Sequence, residues 1–222
     1  MMGGLPIDLI LFAMVAAFLV LRLRSVLGRR TGFERQAQPE AAPVPAARGP
    51  ATEVEIGAKP AQGGSRRVIP DPRSPVGEAL VQIQKRDRSF EPNGFLQGAE
   101  TAFGMIVEAF ARGDRAALKP LLSEEAYAGF DQAIAAREAA GETQRTELRS
   151  VEESGIEAAE LRGSVAEITV RLVTDQINLV QARDGSIVSG AEAVTEMTDV
   201  WTFQRDLNSA DPTWRLVGST AA

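Results

Sequence analysis

Phe95-Leu-Gln-Gly-Ala-Glu-Thr-Ala-Phe103-Gly-Met-Ile-Val-Glu-Ala-Phe110-Ala-Arg-Gly113 is the stretch on which the fold turns. Leu96, Ala99, Phe103, Ile106, Val107 and Phe110 recur at helical spacing, and Gly113 supplies the stop. The breaker Glu91-Pro92-Asn93-Gly94 separates this helix from an earlier one, in which Val76, Leu80 and Ile83 form a stripe behind the start signal Ser74-Pro75. Downstream, Asp114 is expected to cap a short helix reaching Leu122. Ser123 is expected to cap another, with Tyr127, Phe130 and Ile134 on one face.

Beyond Gly141 the period changes from helical to alternating. Leu148, the segment Ala158 to Leu161, and Ile168, Val170 and Leu172 read as strands. The adjacent pair Leu172-Val173 reverses phase before Ile177 and Leu179, which predicts a bulge at that pair. Asp184-Gly185 signals a hairpin. In the strand that follows, Thr195, Met197, Trp201 and Phe203 share a face with Asp199 in phase among them, and after the turn Asn208 to Pro212 a last strand runs from Trp214 to Gly218. Helices first and an antiparallel meander after them is the α+β order, with helices packed on a curved antiparallel sheet. Such a concave face usually leaves a pocket. Phe103, Phe110, Phe130, Met197, Trp201 and Phe203 are the candidates for its lining, and also what an ordinary core would contain.

Composition removes whole classes of chemistry. With no Cys and no His in 222 residues, thiol nucleophiles, disulfides, Cys/His zinc sites and His-dependent triads are absent, and no metal or cofactor is expected. Residues 1–88 carry 13 Lys and Arg against 8 Asp and Glu, a net +5, whereas residues 89–222 carry 11 against 22, a net −11. A body of that charge is repelled by phosphates, so no nucleic acid is expected as partner. A basic partner suits it better.

The apolar run Leu9–Leu21, extended to Leu5–Leu23, is 19 residues long, about 28 Å as a helix, and predicts one transmembrane helix over residues 5–23. Arg22, Arg24, Arg29 and Arg30 follow it, while Met1 to Asp8 carry no Lys or Arg. The positive-inside rule then places the N-terminus outside and everything after Arg22 in the cytoplasm, with the same arginines in reach of anionic lipid headgroups. Residues 24–73 read as a basic juxtamembrane segment and a disordered linker: eight of the twelve prolines fall between Gln36 and Val76, with almost no large apolar residue. A flexible coil over Gln36–Arg73 reaches about 35 Å on average.

Three stretches together resemble the Tim44-like domain family in its bacterial, membrane-anchored form. They are the apolar helix running into Leu21-Arg22-Leu23-Arg24-Ser25-Val26-Leu27-Gly28-Arg29-Arg30-Thr31-Gly32; then Phe95-Leu96-Gln97-Gly98-Ala99 through Ala102-Phe103, Ile106-Val107, Ala109-Phe110, Gly113-Asp114 and Leu121-Leu122-Ser123; and Val200-Trp201-Thr202-Phe203 with Arg205-Asp206, Asp211-Pro212 and Trp214-Arg215-Leu216. The resemblance covers the anchor and nearly all of residues 76–222. It implies a cystatin or NTF2-like fold and a non-enzymatic role: an inner-membrane adaptor, without cofactor, that holds a protein partner near the bilayer, linked to protein translocation or membrane-protein handling. The alternative, from the breadth of functions that the superfold hosts, is a small-molecule binder or enzyme with Asp199 as a pocket base and Tyr127 as a hydrogen-bond donor.

Overall fold

The computed structural model describes residues 64–221. The expected span at 5–23, the cluster Arg22, Arg24, Arg29 and Arg30, and the linker as far as residue 63 lie outside the described residues. Among the described residues no helix is long and apolar enough to cross a membrane.

Strand β1 (Arg66–Val68) comes first, followed by helices α1 (Pro75–Arg86), α2 (Pro92–Arg112), α3 (Arg115–Leu118) and α4 (Glu124–Ala140), then strands β2 (Thr143–Arg162), β3 (Val165–Gln181), β4 (Ile187–Asp206) and β5 (Arg215–Ala221). The helix ends follow from side-chain chemistry. Ser74 Oγ accepts from the Gly77 amide at 3.0 Å and the Glu91 carboxylate from the Gly94 amide at 2.7 Å, so each satisfies a donor that the first turn leaves unpaired. Gly113 ends α2 at φ 68°, a conformation that costs glycine nothing. Arg137 of α4 adds a second cap there: its Nη2 donates to the carbonyls of Phe110 at 2.7 Å and Ala111 at 3.2 Å while its guanidinium lies 5.0 Å from the Phe110 ring centre.

The helix expected to run from Asp114 to Leu122 stops at Leu118. Lys119 keeps helical backbone angles, but Pro120 has no amide to donate back into the helix, and the next residues are drawn into the sheet edge. There the Leu216 amide donates to the Leu121 carbonyl and the Ser123 amide to the Leu216 carbonyl, both at 2.9 Å.

The sheet has five strands in sequence order, β1 to β5, and it is mixed. β2 to β5 form the antiparallel meander that the alternation predicts, but β1 lies parallel on the outer edge of β2, within residues expected to be linker. β2 is one strand of 20 residues instead of separate pieces, because bulges at three points absorb its out-of-phase residues without ending the ladder. The bulge predicted at Leu172-Val173 is absent from the β3–β4 ladder, whose register shifts fall between Gln176 and Asn178 and between Val180 and Gln181. Thr174 and Gln176 are buried, so polar side chains continue the inward phase of Ile168, Val170 and Leu172, and hydropathy alone misplaces the break.

The helices and the sheet share one core. Leu80, Ile83, Leu96, Phe103 and Ile106 meet Ile168, Val170, Leu172, Trp201, Phe203 and Leu216, all buried. The Phe103 and Trp201 rings stand 4.6 Å apart, and Phe95 meets Phe203 edge-on at 6.1 Å.

Candidate functional site

A groove of about 660 Å³ opens between α2 and the sheet end formed by β4 and the Thr213-Trp214 segment that leads into β5. Its aromatic wall consists of Phe90, Phe95, Phe203 and Trp214, with Phe95 and Trp214 4.9 Å apart and Phe90 and Trp214 5.8 Å apart. Besides Phe95, α2 supplies Gly94, Gly98 and Ala102, one turn apart, flanked by Thr101 and by Met105, which is 50% exposed. Small residues at that spacing keep the helix surface low and open the groove along its axis.

Gly98 singles itself out. A glycine inside a helix costs about 0.5–1 kcal/mol relative to alanine. A Cβ at this position would meet nothing within 4 Å, so no packing within the domain calls for it. Gly77 shows the contrast, because a Cβ there would lie 2.0 Å from the Asp71 carbonyl oxygen.

One end of the groove is polar. The Arg205 Nη1 donates to Asp87 Oδ2 at 2.9 Å, with both side chains only 14% exposed. The other Asp87 oxygen accepts from the Ser89 hydroxyl at 2.6 Å and its amide at 2.9 Å. The Ser89 hydroxyl, joined by its amide and by Arg205, outweighs burial and holds the Asp87 carboxyl below its ordinary value. Asp87 and Arg205 thus neutralise each other at this end. Arg205 Nε is buried without a partner among the described residues. No cluster of three or more metal-ligating side chains occurs among the described residues.

The six residues expected to line a pocket are scattered by the fold. Phe103 and Trp201 are sealed in the core, and Phe110 and Phe130 form an edge-on pair at 5.2 Å on the helix side. Met197 is half-buried, its sulfur 3.2 Å from Asn178 Nδ2, and Phe203 alone of the six reaches the groove. Sequence reasoning did not assign Phe90, Phe95, Trp214 and Met105 to a site. Gly94 and Gly98 were the available signal, being two glycines one turn apart in an otherwise strong helix. Asp199 is half-buried opposite Leu172, away from the groove, where burial pushes its carboxyl up to about 6. Tyr127 packs on the edge of the core from α4.

A layer of helices on a meander, with an apolar groove at one sheet end, makes this an α+β domain. The chain belongs to the Tim44-like domain family, whose model matches residues 76–221. No curated protein matches it. Among solved structures it is similar to the intermembrane space region of the chloroplast protein ARC6 (12% identity, 57% of this chain and 95% of that one, TM-score 0.42). It is also similar to an NTF2-like family protein from Streptomyces avermitilis (15%, 59% and 97%, TM-score 0.37) and to a periplasmic fragment of TraM (14%, 55% and 93%, TM-score 0.35). At these scores the likeness carries no functional assignment.

Proposed function

We propose that the chain is a membrane-tethered, cytoplasm-facing adaptor of the bacterial inner membrane whose α2 groove holds a segment of a protein partner near the bilayer. Gly98 carries this reading, because its missing side chain serves the groove and nothing else in the packing. Family membership supports a binding role, the apolar run 5–23 with the arginines behind it supports the tether and its orientation, and the net −11 of residues 89–222 favours a basic partner. No catalytic step is required of it.

The test is a photoreactive residue in place of Met105 in the full-length protein in intact membranes, with and without Gly98→Leu. A recurrent captured protein that disappears when leucine fills the groove, with the thermal transition retained, is the expected result. Capture that is indifferent to Gly98→Leu would sink the groove as the site. A reporter fused after Ala222 should be active only as a cytoplasmic reporter.

A second reading, an enzyme or small-molecule binder, is favoured by one observation: Asp199 is held near pKa 6 by burial, where a carboxylate can serve as a base at neutral pH. A cellular defect from folded Asp199→Asn with partner capture unchanged would put this reading first.

A further inference from the structure

We propose that the outer edge of β2 at Glu153–Gly155, together with Glu100 of α2, is a binding site for an extended, arginine-bearing strand of a partner protein, and that the chain's own Ser65–Val68 occupies it in cis. This site is separate from the groove and does not rest on the adaptor reading.

The geometry is that of a bound peptide more than of a structural strand. β1 pairs through three residues only, Arg66 with Glu153, Arg67 with Ser154 and Val68 with Gly155, and it lies before the region matched by the family model. Bulges in β2 between Val151 and Glu153 and between Ile156 and Ala158 bracket those three positions, so the edge accepts a strand there and turns away on either side. Side chains fix the register. Arg67 places its Nε 3.0 Å and Nη2 2.7 Å from the two oxygens of Glu100, a fork on a carboxylate. Ser65 Oγ donates to the same carboxylate at 2.5 Å and Ser154 Oγ at 2.6 Å. On the opposite face Arg66 pairs with Glu153 at 2.8 Å. Gly155 leaves room for the third residue, since a Cβ there would stand 3.3 Å from that of Val68.

None of Arg66, Arg67 and Val68 belongs to the main buried cluster; Ile69, directly after them, packs against it and anchors the end of the strand. With β1 in place the Glu100 side chain is 13% exposed; without it the carboxylate keeps only the Ser154 hydroxyl from the body of the domain. An uncompensated carboxylate below an open strand edge selects a cationic, extended segment with a hydroxyl two residues before the arginine. The cis strand competes by being covalently attached, so a partner segment displaces it only at high local concentration or with better contacts.

The experiment uses the full-length protein and a fluorescent peptide with the sequence of residues 63–70. Arg67→Ala loosens the cis strand and should bind the peptide about tenfold more tightly than the wild type, and adding Glu100→Gln should reverse that gain. In the wild type, excess peptide should speed tryptic cleavage after Arg66 and Arg67, whereas a peptide with alanine in place of the second arginine should not. Equal binding by wild type and Arg67→Ala, indifference to Glu100→Gln, or cleavage unaffected by peptide would each overturn the proposal. The tryptic assay needs no variant, so it stands even where a substitution perturbs folding.

Discussion

Along β3 the helix-facing side chains change chemistry halfway. Ala166, Ile168, Val170 and Leu172 are apolar and pack with Trp201 and Phe203 beneath Phe103. Thr174, Gln176 and Asn178 continue the same phase as a polar relay: Gln176 Nε2 donates to Thr174 Oγ1 at 2.8 Å, Asn178 Nδ2 to Gln176 Oε1 at 3.2 Å, and Thr146 Oγ1 to Asn178 Oδ1 at 2.6 Å. Gln144 links Thr146 to Arg137 of α4. Asp199 stands at the junction, opposite Leu172 on the neighbouring strand. Strand parity decides which side chains go inside, and what satisfies them there is decided separately, by exclusion of water in one half and by hydrogen-bond closure in the other.

The sharpest break of that contrast is Trp201→Ala. It should cost about 3–5 kcal/mol in urea unfolding, as for a large truncation in a closed core. A loss under about 1 kcal/mol would mean that the apolar half is loosely packed. Asp199→Asn comes next and has the opposite sign. Its carboxyl, raised to about 6 by burial, binds a proton more readily folded than unfolded, so its ionisation lowers stability as pH rises from about 4 to 6 and the penalty stays in place above that. The variant should therefore gain about 2–3 kcal/mol at pH 7–8 and nothing near pH 3. A pH-independent difference would remove Asp199 from the junction.

Gln176→Ala tests the polar half. It strands Thr174 Oγ1, leaves Asn178 Nδ2 only the Met197 sulfur, and should cost about 1–2 kcal/mol in the same denaturation assay. A neutral result would mean that water replaces the lost partner. The smallest effect is Gly98→Ala, on the outer surface of the helix that covers the apolar half. With open space around its Cβ it should raise stability by about 0.5–1 kcal/mol, and a loss instead would show that α2 packs more closely there than the groove implies.

Legibility followed the same division. The glycine stop of α2 at 113, the Ser123 cap and the hairpin at Asp184-Gly185 were readable because each depends on neighbours within one turn, whereas Pro92-Asn93-Gly94, read as a breaker, forms the first turn of α2 under the Glu91 cap. The apolar ladder Ile168, Val170 and Leu172 was readable because burial and hydropathy coincide. The polar continuation was not, since Thr174 and Gln176 look like surface until their partners on β2 and α4 are in place. The groove was hidden for a related reason: Phe90 and Phe95 are over 100 residues from Trp214, and only packing shows which aromatics seal the core and which line its edge.

The sequence by itself determined the order of helices before strands, the caps and stops, the acidic character of the domain and the family, because these rest on local periodicity, charge and runs of adjacent residues. The tertiary structure alone decided that β1 adds a parallel edge strand, that Phe103 and Trp201 belong to the core alone whereas Phe203, equally buried, also lines the groove beside Trp214, and that Glu100 takes the fork of Arg67. Each of these depends on which distant segments meet. A chain's local free energy carries no record of that until the core closes.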